Sequence, residues 1–157
     1  MALTLNEEIG NKTQIAINLG NIGLLYHNQE DYSKALEYNL KALQLNEEIG
    51  NINNSTINLT NIGEDYTKQK KYKEAEEYLL KALETSTEIG SVNFIQLSHI
   101  ALSDLYSQTN QFQFAYEHYK EYSIAKDSLF NENKSKEIGR LEMQHEIGMA
   151  EMERTRI

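Results

Sequence analysis

The heptapeptide LNEEIGN spans Leu5–Asn11 and recurs unchanged at Leu45–Asn51, 40 residues later. Laying the chain on itself at that offset brings further identities into register. Tyr26, Tyr66 and Tyr106 coincide, as do Ala35, Ala75 and Ala115, and Glu37, Glu77 and Glu117. NIG at Asn21–Gly23 returns at Asn61–Gly63, and KAL at Lys41–Leu43 returns at Lys81–Leu83. A fixed period of about 20–50 residues marks an array of stacked units, each burying its apolar face against its neighbours.

Within each unit the period is helical. Ile15, Leu19, Ile22 and Tyr26 form one stripe of a helix. Leu59, Ile62 and Tyr66 repeat it, and Ile95, Leu102 and Tyr106 repeat it again. A second helix follows the polar stretches NQED, KQKK and TNQ. It carries Tyr32, Ala35 and Ala42, then Tyr72, Ala75 and Ala82, then Phe112, Ala115 and Tyr119. Alanine at these positions lets two helix backbones approach closely. Gly50 suits the left-handed conformation that closes a helix. Asn51 suits the cap of the next one, with Asn11 and Ser91 at the equivalent positions. The repeated heptapeptide is therefore expected to be the joint between units.

The segments LGNIGLLY (Leu19–Tyr26), LTNIGEDY (Leu59–Tyr66) and HIALSDLY (His99–Tyr106), each followed by Ala35, Ala75 or Ala115, resemble the tetratricopeptide repeat. That family's pattern runs W-x2-L-G-x2-Y, then A-x3-F, then P. Leu19, Leu59 and His99 stand at the Trp position, Asn39, Leu79 and Tyr119 at the Phe position, and the final Pro is absent. The resemblance covers residues 1–130 and implies an all-α, right-handed superhelix of antiparallel helix pairs with a C-terminal capping helix. The family's usual period is about 34 residues, so helices about a turn longer are expected here. The units expected are 11–50, 51–90 and 91–130. Residues 1–10 are expected to be the second helix of a truncated preceding repeat, with Leu3 and Leu5 where Leu43 and Leu45 stand. A chain that opens in mid-repeat looks like an excerpt from a longer array.

Residues 131–157 leave the period and are expected to form a capping or connecting helix. Ile138, Leu141, Met149 and Met152 make a loose apolar stripe there. The expectation is a first half docked on the third unit and a second half projecting or paired with another chain. The run KDSLFNENKSKEIGRLEMQHEI resembles the junction after tetratricopeptide arrays in some bacterial signalling proteins. Those continue into a membrane helix and a histidine kinase, cyclase or DNA-binding output domain.

Composition narrows the function. Asp plus Glu number 24 against 15 Lys plus Arg, a formal net charge of −9. Neither a nucleic-acid backbone nor an anionic membrane is expected as partner, since both require a basic surface. Cysteine is absent, so no disulfide, thiolate metal site or thiol nucleophile arises. No apolar run reaches the roughly 20 residues that span a bilayer. The segment is expected to be soluble and without membrane contact, in a compartment the sequence leaves open.

Chemistry is equally sparse. His27, His99, His118 and His145 have no second ligand at metal spacing. His99 and His118 replace repeat-core residues and read as packing groups. Neither a G-x-G-x-x-G nor a G-x-S-x-G motif is present, and Glu47–Glu48 and Glu76–Glu77 read as solvated helix faces. No catalytic residue, cofactor or metal is expected.

What remains is surface. Opposite the core stripe of the first helices lie Ile17, Asn21, Leu24 and Asn28, then Ile57, Asn61, Glu64 and Lys68, then Leu97, Ala101, Asp104 and Gln108. In the family resembled, first helices line a concave groove. Asn21, Leu24, Asn28, Asn61, Glu64, Lys68, Asp104 and Gln108 are therefore the expected peptide-binding residues. An Asn amide both donates to and accepts from a peptide backbone; solvated polar filler is the alternative. The family's clamp for a C-terminal carboxylate needs several basic groups, and only Lys68 is available. The expected function is a protein- or peptide-binding scaffold, the sensing segment of a larger bacterial signalling protein. A homodimer through groove or tail, or an accessory subunit of an enzyme, are the alternatives.

Overall fold

A computed structural model describes residues 2–156, with side chains from Thr4 onward. It contains six helices: α1 (Ala2–Asn28), α2 (Tyr32–Glu48), α3 (Ile52–Lys68), α4 (Tyr72–Ile89), α5 (Val92–Gln108) and α6 (Phe112–Thr155). Connections of a few residues force each helix to run back along the one before it. Each helix packs on its sequence neighbours, and the first helices α1, α3 and α5 also touch in turn. The second helices stand farther apart: α2 and α4 meet through the Lys81–Glu47 ion pair at 3.5 Å, with no close backbone approach among the described residues. The first helices therefore form the tight inner side of the array and the second helices its spread outer side. The result is the all-α solenoid of helix pairs, with a C-terminal helix, that the repeat predicts.

The turns repeat at the same offset. Glu30, Lys70 and Asn110 all take left-handed φ values near 60° inside the pairs, and Gly50 and Gly90 take φ 72° between them. Asp31, Asn51 and Ser91 cap α2, α3 and α5 by accepting from the backbone N–H three residues on. Each satisfies one of the orphan donors of a helix start.

Small residues decide the spacing within pairs. Ala35, Ala42, Ala75 and Ala82 are fully buried. Gly63 lies so close to α4 that a Cβ there would overlap the side chain of Leu79. In the third pair Ser103 takes the equivalent position and donates its hydroxyl to the Ala115 carbonyl at 2.8 Å. The core is two clusters, Leu36, Leu43, Leu59, Ile62 and Ala82 between units one and two, and Ala75, Leu79, Ala101, Leu102, Leu105, Tyr106 and Ala115 between units two and three.

Two expectations change at the ends of the array. Residues 2–10 do not form a separate second helix: α1 runs unbroken through Gly10, and Asn11 lies inside it rather than capping it. A turn at Gly10 would free helix carbonyls with no packed neighbour in return, whereas continuation keeps them bonded. Leu5 is exposed, and Leu3 lies outside the side chains described. At the other end, residues 131–155 are no separate element. They prolong α6 to 44 residues, roughly 65 Å. The last buried side chain of α6 is Ala125, and Ile138 and Leu141 are about half exposed, at 48% and 51%. The first half of this extension is therefore not docked on the third unit. Folding back would need a turn, and its one early glycine, Gly139, stays helical.

Candidate binding groove

Asn21, Leu24 and Asn61 come together between α1 and α3. With Ala16, Ile17, Gly20, Asn46, Asn54, Ile57 and Asn58 they line a cavity of about 170 Å³. Its walls are apolar at Ile17, Leu24 and Ile57 and carboxamide elsewhere, and none of its lining residues is charged. Beneath it Asn46 Nδ2 donates to Asn58 Oδ1 at 2.7 Å. Both residues are buried, and Asn46 Oδ1 has no partner within the described chain.

Glu64, Lys68 and Asp104 meet in a second cavity of about 340 Å³, which joins α3 to α5 and reaches α1 at His27. Ile100 and Ala101 form its apolar side. The His27 ring is held from below: its Nδ1–H donates to Asp65 Oδ1 at 2.6 Å, and Asn39 Nδ2 donates to Asp65 Oδ2 at 3.3 Å. Asp65 is fully buried. Burial pushes its carboxyl above the usual carboxylate range, opposed by His27 and Asn39. Glu64 is raised as well, by burial first; His27 and Lys68 oppose the rise, and Asp65 and Asp104 add to it.

Six of the eight expected groove residues thus line one cavity or the other. Asn28 and Gln108 line neither; Gln108 donates to Asp104 Oδ2 at 2.9 Å. His27, Asn46, Asn54 and Asn58 were missed as groove residues. Asn46 belongs to a second helix, and reaches the inner face only because the small residues of the first pair draw the helices together. His27 directly follows Tyr26, the last residue of the core stripe, where the helix alone does not say which side the ring takes.

Apart from the groove, His99 Nδ1 and His118 Nδ1 lie 2.9 Å apart across α5 and α6, and His118 stacks on Tyr106. Both rings are pushed below the usual histidine range, His99 by burial and then His118, and His118 by burial. Among the described residues no group of three or more His, Cys, Asp or Glu side chains is placed to hold a metal ion. No helix among them is long and apolar enough to cross a membrane.

Family models described as tetratricopeptide repeat match residues 54–123 and residues 16–49. Among solved structures, the chain is similar to the crystal structure of the TPR domain of Arabidopsis FLU. The TM-score is 0.70 at 21% identity, over 74% of this chain and 98% of that one. At that identity the likeness concerns the fold. Among curated proteins none matches the chain.

Proposed function

The chain belongs to the tetratricopeptide-repeat family through residues 16–49 and 54–123, and from that premise we propose that it binds an extended segment of a protein partner along its concave face. Domains of this fold mediate protein–protein interaction and act typically as non-catalytic scaffolds. The observation that supports the reading here is the uncharged cavity between α1 and α3. Apolar walls at Ile17, Leu24 and Ile57 receive a side chain, while Asn21 and Asn61 bond the backbone beside it. An extended peptide carries unpaired N–H and C=O groups along its whole length, and carboxamides satisfy both.

Asn21→Ala combined with Asn61→Ala should weaken peptide binding by about 1–3 kcal/mol, the cost of leaving ligand backbone groups unpaired. Asn21 is exposed and Asn61 half-buried, outside both core clusters, so the melting temperature should hardly move. Calorimetry on the double variant checks this. An equal loss from Glu37→Ala with Glu77→Ala, on the outer helices, would place the partner elsewhere.

In its setting the chain reads as the sensing segment of a bacterial signalling protein, with α6 as the connector to an output domain. The support is the junction-like sequence together with a helix that continues well past its last buried side chain. The same extension favours one alternative, self-association. Ile138, Leu141, Met149 and Met152 are all exposed along it. Sedimentation velocity decides between the two: a monomer over a wide concentration range removes self-association.

A further inference from the structure

The geometry points to the cavity between α3 and α5 as a subsite for a basic side chain, so that the groove selects a peptide carrying Lys or Arg a few residues from an uncharged anchor. This rests on the peptide-binding reading above and adds the chemistry of the partner.

Glu64 is half-buried, and among the described residues it makes no hydrogen bond and no ion pair. A carboxylate taken partly out of water, with only the offset that nearby His27 and Lys68 supply, is destabilised, and an incoming cation relieves that. Asp104 faces the same space from α5, one oxygen already accepting from Gln108. Ile100 and Ala101 offer an apolar wall for the aliphatic stem of Lys or Arg, which keeps its charged head at the polar end. His27 and Lys68 share the cavity. His27 is tied to Asp65, and Lys68 is exposed at the rim with no carboxylate within ion-pair distance among the described residues. Counting Glu64, Asp65 and Asp104 against His27 and Lys68, the local balance is acidic even with His27 protonated. The whole chain has the same sign, at −9.

The neighbouring cavity has no charged lining and suits a neutral side chain of apolar body or carboxamide head. On α3 the first site runs over Asn54–Asn61 and the second over Glu64–Lys68, their centres about 13 Å apart at the helical rise. An extended peptide covers about 3.3 Å per residue, so the two side chains stand a few residues apart.

The test uses the whole chain and positional-scanning pools of heptapeptides, each pool with one residue fixed. Pools with Arg or Lys fixed should bind roughly tenfold or more tightly than pools with citrulline, a neutral isostere of Arg, or Glu at the same position. In Glu64→Gln with Asp104→Asn that preference should vanish, Arg and citrulline pools binding alike. Asn21→Ala with Asn61→Ala should weaken all pools alike. Equal binding of Arg and citrulline pools, with the Asn pair still weakening every pool, overturns the basic subsite and leaves the groove standing. A basic preference lost in Glu64→Gln with Asp104→Asn, but untouched binding in the Asn pair, keeps the subsite and removes the backbone ladder. Binding by no pool overturns both.

Discussion

Gly63→Ala and Gly20→Ala make the same chemical change in two first helices, and the structure separates their outcomes. Each gains helix propensity, about 1 kcal/mol for Gly to Ala. At Gly20 the new methyl meets Asn58 Nδ2 at 3.6 Å, an ordinary contact, so the gain should survive. At Gly63 the methyl overlaps Leu79 Cγ and Cδ2 and reaches within 3.4 Å of the Ala75 carbonyl. Leu79 is fully buried in one cluster with Ala75, Ala101, Leu102 and Leu105. Overpacking of this kind costs about 1–3 kcal/mol. The net change at Gly63 is then a loss of about 0–2 kcal/mol, against a gain of about 1 kcal/mol at Gly20. Subtracting one variant from the other cancels propensity and leaves crowding alone, about 1–3 kcal/mol. At about 2–4 °C per kcal/mol for a chain of this size, thermal melts should differ by several degrees. Urea unfolding followed by circular dichroism gives the free energies. Equal effects at the two glycines would refute the close packing of α3 on α4, and with it the register of the repeat.

Acid should loosen the third pair. The His99–His118 contact requires one neutral ring, and the folded chain holds both rings below the unfolded value near 6.5. Stability is full above that value, because the unfolded chain takes up these protons first, and is lost as pH falls through the folded values. Glu117 and Glu121 oppose the depression without abolishing it. His99→Leu with His118→Tyr restores the residues found at Leu59 and Tyr78, and should flatten the fall in melting temperature between about pH 7.5 and pH 5.5; an unchanged slope would contradict this origin. Removing residues 131–157 should leave the melting temperature of the array unchanged, since no side chain of α6 beyond Ala125 is buried, and amides of Lys136–Met143 should exchange quickly. A lower melting temperature, or protection equal to that of α5, would show that the extension docks after all.

The interior of the second and third units was legible because the repeat is written in residues whose spacing has one physical solution; in the first unit Ile15 and Ile22 of the expected stripe are exposed, and Ala16 is buried instead. Tyr66 and Ala75 recur at Tyr26 and Tyr106 and at Ala35 and Ala115, and only a pair of closely packed helices buries both. The joints were legible where both neighbours exist, as at Gly50 and Gly90. The same letters misled at Gly10, which stays helical inside α1 where Gly50 and Gly90 turn. The tail misled as well. Its apolar stripe says which side of the helix wants cover, not whether a cover is there. In the groove, the faces of single helices identified Asn21, Asn61, Glu64 and Asp104. His27 and Asn46 depended on how neighbouring helices cross, and the polar contact of His27 with Asp65 spans 38 residues of sequence.

The central claim is that a peptide lies on the inner face of the first helices. Nitrogen-15 chemical-shift mapping with the tightest-binding heptapeptide tests it directly. The account predicts shifts along Ile17–Leu24, Ile57–Glu64 and Ala101–Asp104, saturating together, with little change at Glu37, Glu77 and the other outward positions of α2 and α4. Shifts concentrated on α2 and α4, or on the exposed stretch of α6 beyond Phe130, would contradict it.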